Sequence, residues 1–209
     1  MTIFQRKPIY LNSLIWLLVF LPLLQLAWGI YQVQIMGDLL YWGAEPGKAV
    51  VHILGEWALF YLVVVLAVRH VKNLGLNLLL YRRRLGLSVF VYALLHLFAY
   101  LLLMLGLQWG DLAQDIQKRP YILVGALAIV LLLPLAVTST KVWQKRLKRK
   151  WKTLHLLVYP VAILVMIHLW WQVKAEFSLA LLISVLFVSF ISLKIYPILL
   201  AYKKTSSNL

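Results

Sequence analysis

The sequence predicts an all-α integral membrane protein, a bundle of six transmembrane helices with both termini in the cytoplasm. Three observations predict this fold class. Of the 209 residues, 64% are hydrophobic and the mean hydropathy is +0.89, well above the values of soluble domains. Six stretches reach the ~20 mostly apolar residues that a membrane-spanning helix needs. Basic residues gather in the tails and in alternate connections between those stretches.

The six predicted spans fill most of the chain, namely residues 10–30, 49–68, 85–107, 121–138, 153–171 and 179–200. The first is too long for the apolar region of a signal peptide, and no small-residue cleavage site follows it. The remaining residues make short loops and two short tails, which leave no room for a soluble nucleotide-binding domain. We therefore expect residues 1–209 to form a single membrane domain.

The distribution of charge sets the predicted orientation. Seventeen of the 21 Lys and Arg residues fall in the tails, near the end of span six and in the two even-numbered connections, which the positive-inside rule assigns to the cytoplasm. These clusters suit contact with anionic lipid or with an acidic cytoplasmic electron donor. The net charge of +15 therefore does not indicate nucleic acid. All six acidic residues lie on or near the outer side, where we expect a docking surface for an exported partner.

The histidines are the candidate functional residues. His96 lies in the middle of span three, and His155 and His168 lie towards opposite ends of span five. Histidine within a bilayer is rare and indicates a functional site, and imidazole is a common axial ligand of haem. The chain has no cysteine, which excludes disulfides, thiolate iron–sulfur clusters and covalently attached c-type haem. A haem in this chain would be b-type and held by histidine.

Depth in the membrane indicates which histidines form a pair. Counted from the cytoplasmic end of each span, His96 lies ~17 Å deep and His168 ~22 Å, whereas His155 lies only ~3 Å deep. The two axial ligands of one haem lie at similar depth, so we expect His96 and His168 to hold one iron in the outer half of the bilayer. The sequence thus predicts a haem-carrying electron conduit across a membrane.

The remaining candidates have alternative interpretations. His155 is either an ordinary interfacial histidine or part of a second redox site. On a straight helix it lies ~140° away from His168, although Pro160 between them is able to kink or rewind the helix. His52 is an alternative ligand, a hydrogen-bond partner of a ligand or a contact for a haem propionate. A further set of candidates for contacting propionates, a flavin phosphate or the electron donor is Arg82, Arg83 and Arg84.

Short motifs in a fixed order resemble the ferric-reductase-like transmembrane domain family. Within that family, they resemble the haem-binding membrane subunits of bacterial periplasmic methionine sulfoxide reductase systems. The motifs are HILGEWAL at 52–59, RRLGL at 83–87, ALLHL at 93–97, KRPY at 118–121, TS at 138–139, WKTLH at 151–155 with Tyr159, and IHLW at 167–170. The resemblance implies a haem-binding core over residues 49–171.

The resemblance also implies cofactors, partners and a location. It implies b-type haem with His96, His155 and His168 as the matching histidines, and FMN as a further cofactor of the family. Electrons would come from the quinone pool or a cytoplasmic flavin reductase and pass to a periplasmic molybdopterin subunit, which reduces methionine sulfoxide in oxidised envelope proteins. The chain would lie in the bacterial inner membrane. Arg119 and Pro120, beside the acidic outer loops, are the expected partner dock.

One departure from the larger ferric reductases bears on the number of haems. Those relatives carry two histidines on each of two helices, but here Arg82 stands fourteen residues before His96. His155 lacks its partner in consequence, and one haem is expected rather than two. Two alternatives stay open: a quinone-coupled b-type cytochrome of another family, and a haem-free transporter or assembly factor whose histidines relay protons.

Overall fold

The computed structural model describes residues 9–68, 81–172 and 177–206, with side chains for all of these except 9, 179 and 194–206. Every regular element in these ranges is helical. The helices are α1 Ile9–Gln34, α2 Pro46–Ala67, α3 Arg82–Ala99 continuing as a π-helix over Tyr100–Met104, α4 Trp109–Lys118, α5 Tyr121–Val137, α6 Lys141–Leu147, α7 Arg149–Leu154, a 3₁₀ turn His155–Leu157, α8 Val158–Gln172 and α9 Ser178–Ser206.

Several of these helices are long and apolar enough to cross a membrane. Within the described ranges, length and composition select four segments: Tyr10–Gln34, Pro46–Ala67, Arg82–Met104 and Arg149–Gln172. A fifth results when α4 and α5, bent by 108°, count together as one broken span. Ala180–Leu193 is a shorter apolar stretch. The chain is thus a helical, multi-pass membrane protein, whereas six spans and cytoplasmic termini stay predictions. Residues 1–8 and 207–209 lie outside the described residues.

The core consists of two helix pairs. Helix α2 packs along α3, α5 packs along α8, and the pairs meet where α3 contacts α5. Helix α1 packs on α2, and α9 packs on α8 and α2. The paired helices supply deeply buried side chains such as Tyr61, Leu62, Leu85 and Val161. This arrangement brings the histidine-bearing helices α3 and α8 towards each other, each backed by a partner helix.

The connection between spans three and four contains a helix that the sequence analysis missed. Helix α4 half-buries Leu112 and Ile116 on one face and exposes Asp111 and Gln114 on the other, a pattern typical of a helix in the membrane interface. Proline disfavours a helical conformation in the residue before it, so Pro120 ends α4 at Lys118 and the chain turns sharply into α5.

Span five starts earlier than predicted and is not one continuous α-helix. Pro160 has no N–H to donate to the carbonyl of Leu156, and the chain forms a 3₁₀ turn over His155–Leu157 before α8 begins at Val158. Pro160 then lies in the first turn of α8, where its missing N–H does little harm. Since a 3₁₀ turn rotates ~120° per residue, it narrows the angle between His155 and His168 from ~140° to roughly 80°.

Candidate functional site

The structure brings His96 of α3 and His168 of α8 together. Their imidazole ring centroids lie 6.2 Å apart, and the ring planes are inclined at 85°. Both side chains are half-buried between the two helix pairs. The two histidines are thus neighbours in space, at the similar depths estimated from the sequence.

The same type of hydrogen bond orients both rings. Nδ1 of His96 lies 2.8 Å from the carbonyl oxygen of Val51 in α2, and Nδ1 of His168 lies 2.6 Å from the carbonyl oxygen of Tyr121 in α5. A carbonyl oxygen only accepts hydrogen bonds, so each Nδ1 carries the proton and donates it. In a neutral imidazole the other nitrogen, Nε2, then keeps its lone pair free for a metal.

This arrangement fits an axial pair of haem ligands. Two imidazoles on one metal atom, each with its nitrogen about 2 Å from the metal, place their ring centres about 6 Å apart. A backbone carbonyl that accepts from the far ring nitrogen is the usual support of a metal-bound histidine. Within the described ranges, no cluster of three or more His, Asp or Glu side chains is placed to bind a metal ion. A pair of side chains is what a haem iron requires, because the porphyrin supplies its other ligands.

His155 lies in a separate environment. Its Nε2 is 3.2 Å from Oγ1 of Thr138, whose hydroxyl donates to the carbonyl oxygen of Pro134 at 2.6 Å. A hydroxyl has one proton, so with that proton on Pro134 the bond to His155 requires a proton on Nε2. The ring also stacks on Trp151 at 4.0 Å between centroids, and Arg82 lies close enough for its charge to act on it. Nε2 is free to bind a metal in His96 and His168. In His155 the same atom is engaged with a protein partner.

His52 joins two helices at the edge of the paired site. The side-chain amide of Gln172, the last residue of α8, donates to Nε2 of His52 at 3.1 Å. His52 directly follows Val51, whose carbonyl holds the His96 ring. The structure thus places His52 next to Val51, whose carbonyl orients the predicted ligand His96. Gln172 belongs to none of the motifs that the sequence analysis identified.

The three consecutive arginines differ in their surroundings. Arg82 and Arg83 are exposed, whereas Arg84 is half-buried. Nη1 of Arg84 donates to Oδ1 of Asn12 at 2.9 Å, and its guanidinium carbon lies 4.3 Å from the ring centre of Trp16. Both partners belong to α1, so Arg84 ties α3 to the first helix.

The predicted partner dock lies at the junction of α4 and α5. Arg119 and Pro120 are both exposed. Nε of Arg119 lies 3.3 Å from Oδ1 of Asp115, and the hydroxyl of Tyr100 donates to Oδ2 of the same carboxylate at 2.6 Å. Tyr100 begins the π-helix one turn after His96. A short chain of contacts therefore connects the exposed Arg119 with the helix that carries His96.

Comparison with known proteins places these residues in a family context. Residues 54–166 match the model of the ferric reductase like transmembrane component. The chain is 45% identical over 158 residues to the protein-methionine-sulfoxide reductase heme-binding subunit MsrQ of Xanthomonas oryzae pv. oryzae, covering 74% of this chain and 72% of the relative. The MsrQ of Xanthomonas campestris pv. campestris is 44% identical over 161 residues, covering 76% and 73%. No solved structure matches the chain.

Proposed function

Since this chain belongs to the family of ferric-reductase-like transmembrane components, we propose that it is the haem-binding membrane subunit of a methionine sulfoxide reductase system. In this role it passes electrons across the membrane to a partner that carries out the reduction. The observation that carries the proposal is the pair His96 and His168, each donating from Nδ1 to a backbone carbonyl and each with Nε2 free.

The residues of the site have two different roles in binding the iron. His96 and His168 supply the two Nε2 ligands, one from each helix pair. The carbonyls of Val51 and Tyr121 fix the tautomer and the rotation of the two rings, and they raise the basicity of the ligating nitrogens. A bound haem supplies one-electron oxidation and reduction, at a potential set by its axial ligands and their hydrogen bonds.

We propose one haem rather than two. His155 is the third histidine that the family resemblance assigns to haem, and its Nε2 is engaged with Thr138 while the charge of Arg82 acts on its ring. Electrons then come from the quinone pool or a cytoplasmic flavin reductase on the side where His155 and the exposed Arg82 and Arg83 lie. On the family resemblance we propose FMN as a further cofactor.

The outer side is proposed to receive the partner, a periplasmic molybdopterin-dependent reductase subunit. The six-span topology with cytoplasmic termini, the bacterial inner membrane as location and the core over residues 49–171 belong to the same proposal. In that orientation the α4–α5 junction with Arg119 and Pro120 faces the periplasm. The exposure of both residues supports a role in docking.

A reduced-minus-oxidised visible spectrum of the purified protein tests the function. We expect a low-spin b-type signal in the wild type, its loss in His96→Ala and in His168→Ala, and its retention in His155→Ala. Separate loss of half the haem in His155→Ala would instead show two sites and favour a two-haem cytochrome. A folded wild-type protein without any haem would overturn the proposal and favour a transporter or an assembly factor.

A further inference from the structure

Two glycines lie directly against the paired imidazoles. A Cβ atom built on Gly55 of α2 would stand 2.9 Å from Nδ1 and 3.0 Å from Cε1 of His96. A Cβ atom built on Gly125 of α5 would stand 2.8 Å from Nδ1 and 2.9 Å from Cε1 of His168. Real Cβ atoms do not approach neighbouring atoms this closely, so any larger residue at either position must displace the ring.

The two contacts repeat one local arrangement in different helices. Gly55 follows Val51 by one helical turn, and Gly125 follows Tyr121 by one helical turn. Each imidazole therefore donates to a carbonyl at one turn of the neighbouring helix and lies across the glycine at the next turn. The sequences around the two sites differ, yet the acceptor, the glycine and the histidine occupy equivalent positions in the α2–α3 and α5–α8 pairs.

Not every helical glycine in the chain has such a neighbour. Gly86 of α3 and Gly110 of α4 have open space where a Cβ would stand, with no atom within 4 Å. Close packing of the helices therefore does not by itself require glycine throughout. Gly29 of α1 also has a close neighbour, the side chain of Trp42. Gly55 and Gly125 differ from it because their neighbours are the two imidazoles of the proposed iron site.

We propose that Gly55 and Gly125 are positioning residues that seat the axial histidines. The absence of a side chain lets Nδ1 and Cε1 of each imidazole approach the backbone of the neighbouring helix, within reach of the carbonyl one turn away. The hydrogen bond then fixes the rotation of the ring and directs Nε2 towards a shared iron. This inference rests on the proposed function. It adds a feature that the surroundings of His96 and His168 share, a glycine one turn after the carbonyl that accepts from the ring.

A methyl group at either glycine acts on the histidine and not on the helix. Alanine is a better helix former than glycine, so the substitution does not weaken α2 or α5 as helices. It pushes Nδ1 and Cε1 away from the backbone, lengthening or breaking the hydrogen bond to Val51 or Tyr121. Loss of such a support typically weakens metal binding by about 10-fold to 100-fold, and the altered ring rotation and basicity change the electronic signature of the iron.

The test compares Gly55→Ala and Gly125→Ala with Gly86→Ala as the matched control, all in the full chain. The measurements are the haem-to-protein ratio, the low-spin electron paramagnetic resonance spectrum and the reduction potential of the haem that is retained. We expect haem retention to fall by about 10-fold, or the spectrum and potential of the retained haem to shift, in both variants and not in the control. The two glycines lie in different helices. If one variant does not accumulate as folded protein, the other variant still tests the inference.

Two results would overturn the inference, and they are distinguishable. Wild-type protein with haem, together with variants that match both the wild type and Gly86→Ala in all three measurements, rejects the seating role and leaves the proposed function intact. A folded wild-type protein without haem rejects the proposed function and the inference together.

Discussion

The hydroxyl of Tyr61 in α2 donates to the carbonyl oxygen of Leu18 in α1 at 2.7 Å. This carbonyl is the one that Pro22 leaves without its helical partner, because proline has no N–H to donate to the residue four positions earlier. Tyr92 of α3 donates in the same way to the adjacent carbonyl of Val19 at 2.6 Å. Two tyrosines of the core thus satisfy backbone acceptors at the interruption in α1, which is what allows proline inside a membrane helix.

The first prediction concerns the coupling between Tyr61 and Pro22. Tyr61→Phe removes the donor and leaves the half-buried carbonyl of Leu18 unsatisfied, so we expect a loss of about 1–3 kcal/mol in the free energy of unfolding. In a Pro22→Ala background the N–H at position 22 is restored, and Tyr61→Phe should then lower the free energy of unfolding by clearly less. The double-mutant cycle compares the unfolding of the wild type, the two single variants and the double variant in detergent micelles.

Tyr31→Phe is the control for that cycle, since Tyr31 is 44% exposed on α1, the helix that contains Pro22. We expect it to change the free energy of unfolding by less than about 0.5 kcal/mol. Equal losses from Tyr61→Phe with and without Pro22 would contradict the prediction, because they would show that the tyrosine acts independently of the freed carbonyl.

The spatial pairing of His96 with His168 follows from the sequence, because the rise of an α-helix is nearly constant. Position along a membrane-spanning helix therefore translates into depth, and two histidines of similar depth on separate spans are able to meet. The observed centroid distance of 6.2 Å agrees with that reasoning, while their role as iron ligands stays a prediction. The same arithmetic separated His155 from the pair.

What the sequence did not predict are the groups that hold the two rings. The acceptors at Val51 and Tyr121 are backbone carbonyls, so side-chain identity carries no signal for them. The contacts at Gly55 and Gly125 depend on how closely α2 approaches α3 and how closely α5 approaches α8. That approach is a result of packing across the whole interface. A glycine within an apolar span was visible in the sequence, but its neighbour was not.

A second prediction separates the arginines at the start of α3. Arg84→Gln removes the hydrogen bond to Asn12 and the contact with Trp16, and we expect about 1–2 kcal/mol of lost stability with an unchanged haem-to-protein ratio. Arg83→Gln is the matched control, because its side chain is exposed, and it should leave stability nearly unchanged. Loss of haem in Arg84→Gln without loss of stability would instead indicate a direct propionate contact.

A third prediction concerns Arg119 at the proposed dock. Its ion pair with Asp115 is partly exposed and therefore contributes at most about 1 kcal/mol to the free energy of unfolding. Arg119→Gln should hardly change the unfolding transition. If Arg119 contacts an acidic partner, the substitution should slow electron transfer to that partner several-fold at low salt and less at high salt, because ions screen surface charges. Stopped-flow oxidation of the reduced haem by the purified partner measures this, with Lys48→Gln at another exposed ion pair as the control. Equal rates for the wild type and Arg119→Gln at low salt would reject the dock.

The last prediction concerns the hydroxyl of Thr138, which lies between the carbonyl of Pro134 and Nε2 of His155. Thr138→Val keeps the shape of the side chain and frees the histidine nitrogen. By their depths, His96 and His168 lie ~14 Å and ~19 Å further along the membrane normal than His155, so the haem-to-protein ratio and the low-spin signal should stay as in the wild type. The stability should fall by about 1 kcal/mol from the lost hydrogen bonds.

Thr140→Val, which removes the cap on the N–H of Trp143 at a similar cost of about 1 kcal/mol, separates general destabilisation from an effect at His155. A pyridine haemochrome assay that finds more haem in Thr138→Val than in Thr140→Val would show that Thr138 keeps His155 from binding a second iron. An unchanged ratio agrees with a single haem site held by His96 and His168.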